Sequence, residues 1–176
     1  MSKNVEIKAK ARNFFHQKQL AEQLADEGPD LLQQRDVFFH VPHGRLKLRY
    51  LAPDCGNLIT YERPDNKGPK TSQYEIYGTS DPARLEQVLS GSLDIRGVVE
   101  KKRTLYLVGQ TRIHMDEVAG LGHYLELEVV LTPDQSAEQG QAIARDLMTC
   151  LEVEEADLID AAYIDLLDEV VSPCGV

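Results

Sequence analysis

Apolar and polar residues alternate strictly over Asn4-Val5-Glu6-Ile7-Lys8-Ala9-Lys10, close to the N-terminus. Val5, Ile7 and Ala9 fall on one side, and Asn4, Glu6, Lys8 and Lys10 on the other. A strand has a side-chain period of two, so this stretch predicts a strand with one core face and one charged face. The pattern returns in Arg45-Leu46-Lys47-Leu48-Arg49-Tyr50, where three basic residues share one face. Further strands are expected at 34–41, 58–63, 73–77, 98–108, 111–117 and 123–131. Lys101 and Arg103 share a face of the sixth strand, and Arg112, His114 and Asp116 a face of the seventh. In the eighth, Glu126 and Glu128 point away from Leu125, Leu127 and Val129.

Helices are expected between these strands. Asn13 can cap one over 14–27, with Phe14, Leu20 and Leu24 as its apolar stripe, joined by Phe15 and Ala21, and Gly28-Pro29 as its stop. Asp81-Pro82 opens a second, ending near Ser90-Gly91. Thr132-Pro133 opens a third that runs to Cys150. Leu158, Ile159, Ala162, Tyr163, Leu166 and Leu167 recur at helical spacing over 156–170, which predicts a docked core helix. The stretch 64–71 reads as a mobile polar loop and 171–176 as a frayed tail. No repeat or linker divides the chain, so residues 1–176 are expected to form a single domain.

At 176 residues the chain is long enough to bury a core without staples. It has no apolar run near the roughly 18 residues of a membrane span and no apolar leader segment. Its three cysteines, Cys55, Cys150 and Cys174, are far apart in sequence, which fits a reducing cytosol better than a disulfide framework or a thiolate zinc site. A cytoplasmic protein is expected. The net charge of −10 argues against nucleic-acid or anionic-membrane binding. The charge is uneven, however: after Glu117 the only basic residue is Arg145. The earlier strands hold most of the positive charge, so a basic cavity can exist inside an acidic protein.

Like charges on one strand face repel unless they meet water or a counter-charge. A closed eight-stranded antiparallel barrel would turn these faces inward and bring the two signs together. Lys8, Lys10, Arg45, Lys47, Arg49, Lys101, Arg103 and Arg112 would supply the positive charge. Glu6, Asp116, Glu126 and Glu128 would supply oxygen ligands. Basic groups grip phosphate oxygens through charge-assisted hydrogen bonds, and hard Mg²⁺ or Mn²⁺ takes carboxylate and phosphate oxygens. The mixture therefore points to a polyphosphate bound with its divalent cation. Glu126 and Glu128 lie roughly 6–7 Å apart along one strand face, close enough to share a metal or to hold two. The five histidines show no metal-ligand spacing and are expected to be structural or exposed. No phosphate-binding glycine loop and no nucleophile elbow occur.

The opening Asn4-Val5-Glu6-Ile7-Lys8 resembles the E-x-E-x-K strand of the CYTH superfamily, the triphosphate tunnel metalloenzymes. The likeness continues through Gly44-Arg45-Leu46-Lys47-Leu48-Arg49, Tyr61-Glu62-Arg63-Pro64 and Val99-Glu100-Lys101-Lys102-Arg103-Thr104-Leu105-Tyr106. It is strongest at Met115-Asp116-Glu117-Val118-Ala119-Gly120-Leu121-Gly122 and Leu125-Glu126-Leu127-Glu128, and it closes at Tyr163-Ile164-Asp165-Leu166-Leu167. The D-x-x-x-G-L-G run is similar to the class IV adenylyl cyclase-like branch. The resemblance implies an α+β fold built on a closed eight-stranded antiparallel tunnel with flanking helices. It implies Glu6, Glu126 and Glu128 as metal ligands with Asp116 as a fourth acid, and Lys8, Lys47, Arg49, Lys101 and Arg103 on phosphate. Strand alternation adds Arg45 and Arg112.

Two positions depart from the family pattern. Asn4 stands where the motif usually has Glu, which removes a charge from any second metal position. Glu62 and Arg63 stand where many members carry a Lys after the fourth strand, and the register decides which faces inward. The expected activity is metal-dependent hydrolysis of a triphosphate: inorganic triphosphate, ATP or thiamine triphosphate. Conversion of ATP to cyclic AMP and pyrophosphate is the first alternative, and a non-catalytic phosphometabolite-binding module the second. The sequence leaves room for a homodimer through an exposed strand or the acidic C-terminal helix.

Overall fold

The computed structural model describes residues 2–62 and 70–171. They form eight strands and four α-helices. The strands are β1 (Ser2–Lys10), β2 (Glu27–Phe39), β3 (Arg45–Ala52), β4 (Cys55–Glu62), β5 (Lys70–Thr79), β6 (Ile95–Val108), β7 (Thr111–Val118) and β8 (Gly122–Val130). The helices are α1 (Phe14–Leu24), α2 (Pro82–Ser90), α3 (Ala137–Cys150) and α4 (Tyr163–Val171). All the pairings are antiparallel, and hydrogen-bonded neighbours run β1-β5-β4-β3-β2-β6-β7-β8, with β8 in turn pairing with β1. The sheet curls around an interior, giving the α+β architecture of eight antiparallel strands and flanking helices that the alternation predicts.

The curl puts the apolar face outside and the charged face inside. Val5, Ile7 and Ala9 of β1, Ile113 and Met115 of β7, and Leu125, Leu127 and Val129 of β8 form one buried outer layer. Ala144, Leu147 and Met148 of α3 and Phe14 and Ala21 of α1 cover it. Gly140 lets α3 lie close against β1, because a Cβ there would stand 2.8 Å from Val5 Cγ2 and 2.5 Å from Leu131 Cδ2. A smaller layer joins Val37, Phe39 and Leu48 to Leu85 and Leu89 of α2. A third cluster sets Ala162, Tyr163 and Ile164 against Phe38, Val99, Val118 and Tyr124, which brings the start of α4 to the interior.

Several boundaries differ from the sequence reading. β2 begins at Glu27 rather than 34, so Gly28-Pro29 lies inside a strand instead of ending a helix. Its pairing with β6 shifts register between Glu27 and Asp30, the kind of irregularity that tolerates a proline. α1 stops at Leu24, the Asn13 side chain makes no cap, and Phe15 is 74% exposed rather than part of the core stripe. α3 starts later than Thr132-Pro133, because Ser136 and Gln139 form a reciprocal capping box. The segment 156–162 is not α-helical: Glu155–Asp157 form a single 3₁₀ turn, Leu158 bridges to Ala9, and Ile159 N–H donates to Lys8 O, holding 158–159 extended beside β1. The predicted loop at 64–71 lies outside the described residues up to position 69, and Lys70 and Thr71 belong to β5. Positions 172–176 of the predicted tail also lie outside them, whereas Val171 ends α4. No helix among the described residues is long and apolar enough to cross a membrane.

Candidate active site

The inward faces of the strands enclose a cavity of about 450 Å³. Alternation delivers its walls: Asn4, Glu6 and Lys8 from β1, Gln34 and Asp36 from β2, Lys47 and Arg49 from β3. Lys101 and Arg103 come from β6, Arg112 and His114 from β7, and Glu126 and Glu128 from β8. Tyr163 enters from α4.

Two buried carboxylates organise the basic groups. Asp116 is fully buried, 2.6 Å from Arg103 Nε and Nη2 and 3.1 Å from Lys101 Nζ. The Tyr163 hydroxyl donates to the same carboxylate at 2.9 Å. On the other side, Asp36 receives Arg49 at 2.7 and 2.6 Å and Lys47 at 3.1 Å. Glu126 accepts from Arg103 at 2.5 Å and pairs with Lys8 at 3.2 Å. Lys8 Nζ also sits 4.0 Å from the centre of the Tyr163 ring, and Lys101 Nζ 4.9 Å from it.

Burial and neighbouring charge set the ionisation of these groups. Burial opposes the charge on Asp116, but Arg103 and Lys101 outweigh it and hold the carboxyl down to about 2. Glu126 lies well below the ordinary range: burial works against its charge and is overcome by Lys8, Arg103 and Lys101. Asp36 is lowered in the same way by Lys47 and Arg49. Burial together with Arg103 pushes the Lys101 ammonium down to about 7. Burial and the nearby Glu126 and Asp116 carboxylates drive the Tyr163 hydroxyl far above its usual range, so it stays a donor. Each buried charge thus has a partner, the condition under which such charges persist.

The residues also fit a hard divalent cation. Glu6 and Glu128 face each other directly across the β1–β8 ladder, a like-charge pairing that a cation relieves. The Asn4 side chain is 1% exposed, and its Nδ2 donates to Glu128 Oε1 at 2.5 Å. That leaves the buried Asn4 Oδ1 without a hydrogen-bond partner, an oxygen donor beside the two carboxylates. Among the described residues no three of His, Cys, Asp and Glu form a ready metal cluster. The opposed carboxylates and the amide oxygen are ligands of the kind a hard divalent cation takes, one or two carboxylates acting together with substrate phosphates.

The structure brings together Glu6, Glu126, Glu128, Lys8, Lys47, Arg49, Lys101, Arg103 and Arg112. It does not bring Lys10, which is exposed at the end of β1 and does not line the cavity. Arg45 is turned to Asp165 at 3.0 Å, and Asp116 lies beneath the cavity wall as the anchor of Lys101 and Arg103. Glu62 is exposed while Tyr61 beside it lines the cavity, and Arg63 lies outside the described residues. His114, expected to be structural or exposed, is buried and lines the cavity, 3.6 Å from Glu126. Sequence reasoning missed Asp36, although a lone acid two residues from Gln34 and Phe38 in an apolar strand was a signal. Tyr163 was read as a core position and as part of the family's closing element, with no role in the cavity.

The CYTH domain family matches residues 2–163. Adenylate cyclase CyaB of Aeromonas hydrophila is 24% identical over 145 residues, covering 78% of this chain and 73% of that protein. PH1012 from Pyrococcus horikoshii OT3 has the same fold, with a TM-score of 0.83 at 24% identity over 94% of this chain and 99% of that one. HpAC1 from Hippeastrum, described as having a dominant triphosphatase activity, superposes with a TM-score of 0.69 at 12% identity over 97% and 96%. With its strand motifs, its curled sheet and a match over nearly its whole length, the chain belongs to the CYTH domain family.

Proposed function

We propose that this protein is a divalent-metal-dependent triphosphatase whose sheet works as a closed tunnel around the phosphate chain. The observation that carries this reading is the cavity itself. Six cationic side chains (Lys8, Lys47, Arg49, Lys101, Arg103 and Arg112) line it beside the directly opposed Glu6 and Glu128. Arg forks with Lys ammonium groups match phosphate oxygens spread along a chain.

In this reading Lys8, Lys47, Arg49, Lys101 and Arg103 hold the phosphate oxygens and neutralise charge as the terminal phosphorus is attacked. Arg112, 46% exposed, engages the chain at the cavity's edge. Glu6 and Glu128, with the Asn4 oxygen, would hold Mg²⁺ or Mn²⁺, and Glu126 would join them once the substrate phosphates draw away its partners Lys8 and Arg103. A bound divalent cation supplies Lewis-acid neutralisation of the phosphate charge. Asp116 and Asp36 keep the basic side chains pointed inward.

The match to Adenylate cyclase CyaB favours a second reading, in which ATP is cyclised to cyclic AMP and pyrophosphate. Product analysis separates the two. The protein is incubated with ATP, inorganic triphosphate or thiamine triphosphate, with Mg²⁺ or Mn²⁺. Orthophosphate lost on Glu126→Gln supports the triphosphatase; cyclic AMP with pyrophosphate replaces it with the cyclase. Tight binding without turnover leaves a binding module.

A further inference from the structure

In their described side chains, the β4 and β5 walls of the cavity differ from the rest. Every other strand sends a charged side chain into it, for example Lys8, Asp36, Lys47, Lys101, Arg112 and Glu128. Among their described side chains, β4 and β5 contribute Ile59, Tyr61, Tyr74 and Ile76. The register pairs these residues directly, Ile59 with Ile76 and Tyr61 with Tyr74, so they form one continuous apolar and aromatic surface. Nothing in that surface matches the charge of a phosphate.

This wall is not merely filling. Ile59 is buried at 8% exposure, whereas Ile76, its cross-strand partner, lines the cavity yet remains 55% exposed. Apolar surface left open inside a concave site is where a ligand's apolar part gains most from burial. The wall is also continuous with the phosphate-binding region: Lys47 Nζ lies 5.5 Å from the centre of the Tyr61 ring and 5.7 Å from that of Phe38. One cavity therefore joins a cluster of cations to an apolar and aromatic surface.

We infer that the surface of Ile59, Tyr61, Tyr74 and Ile76 is a subsite for the heteroaromatic ring of an organic triphosphate. The substrate is then a ring-bearing triphosphate, with inorganic triphosphate a weaker ligand. This rests on the triphosphate reading above. Aromatic side chains pack on flat rings, and branched aliphatic groups seal the edge. Inorganic triphosphate fills only the charged half and leaves the wall in water.

The test is a binding titration on the full chain, with ATP, CTP, thiamine triphosphate and inorganic triphosphate as probes at one ionic strength. At least one ring-bearing probe is expected to bind about tenfold or more tighter than inorganic triphosphate, and which one identifies the ring. Ile76→Ser, at a half-exposed site that tolerates a small polar residue, is expected to remove most of that advantage. It should leave inorganic triphosphate affinity unchanged. Tyr74→Phe should keep the advantage and Tyr74→Ala lose it. Equal affinity for all four probes in the wild type, or an unchanged ratio in both Ile76→Ser and Tyr74→Ala, overturns the ring subsite while leaving the triphosphate reading intact. If inorganic triphosphate does not bind and Lys101→Ala changes nothing for any probe, the triphosphate reading itself falls and takes the subsite with it.

Discussion

Tyr163 at the start of α4 donates its hydroxyl to Asp116 on β7 at 2.9 Å, joining positions 47 residues apart in the chain. The same carboxylate holds Lys101 and Arg103, and the face of the same ring receives Lys8 and Lys101. The C-terminal helix is thus wired to three basic residues of the cavity rather than simply packed over it.

Replacing Tyr163 by Phe is expected to remove one buried hydrogen bond and keep the ring. The cost should be about 0.5–1.5 kcal/mol of stability, with substrate affinity reduced only modestly. Tyr163→Leu, which also removes the cation–π contacts, should weaken triphosphate binding further. Denaturant titration and substrate titration on both variants check this order; equal affinities would break the link between α4 and the basic residues.

Asp36 is 3% exposed and holds both Lys47 and Arg49. Asp36→Asn leaves two largely buried cations short of their counter-charge and should cost about 3–5 kcal/mol, read from the denaturation midpoint. Its ionisation is shifted below the unfolded value. The stability it contributes is therefore present above about pH 3.9 and lost as the pH falls through the folded value.

Lys101 shifts stability in the same direction with pH, but by relief of a penalty rather than by a gain. Its folded pKa of about 7 lies below the roughly 10.4 of the unfolded chain. Between those values the unfolded state binds more protons, so this group's contribution makes stability rise with pH, and its burial penalty is full below about 7. Phosphate binding needs the ammonium form. Metal-free affinity for inorganic triphosphate should therefore fall as the pH is raised through about 7, measured by calorimetric titration. Lys101→Arg, charged throughout, should flatten that profile.

Lys8 and Lys10 share a strand face in the sequence, but only Lys8 lines the cavity. Lys8→Ala should weaken triphosphate binding by about tenfold or more, the loss of a charge-assisted contact. Lys10→Ala, at the exposed end of β1, should leave it unchanged. A matched loss in both variants would move Lys10 into the site.

Asn4→Glu adds a third carboxylate beside Glu6 and Glu128. Activity should then saturate at a lower metal concentration, because a further charged oxygen ligand strengthens a hard-cation site. Without metal the same variant should melt at lower temperature, since like charges meet on one strand face. Unchanged metal and melting curves would show that Asn4 is not at the cation position.

Period-two alternation was enough to place the charged faces of β1, β3, β6, β7 and β8, because a strand's side chains can point only two ways. The same logic made the outer layer of Val5, Ile7, Leu125 and Leu127 legible, and the capping pair Asp81-Pro82 marked α2. Which charged residues meet was another matter. Lys10 reads like Lys8, and Asp116 reads like Glu126, until strand length and curvature leave the one at an exposed end and set the other beneath the wall. Asp36 and Tyr163 carried weak local signals because their partners, Lys47 and Arg49 for one and Asp116 for the other, come from other elements. Strand positions, their two faces and the family were legible along the chain, apart from the start of β2 and its inward Asp36. Which like-facing charges converge was settled on folding, because that depends on cross-strand register and on how far the sheet curls, and no local pattern encodes either.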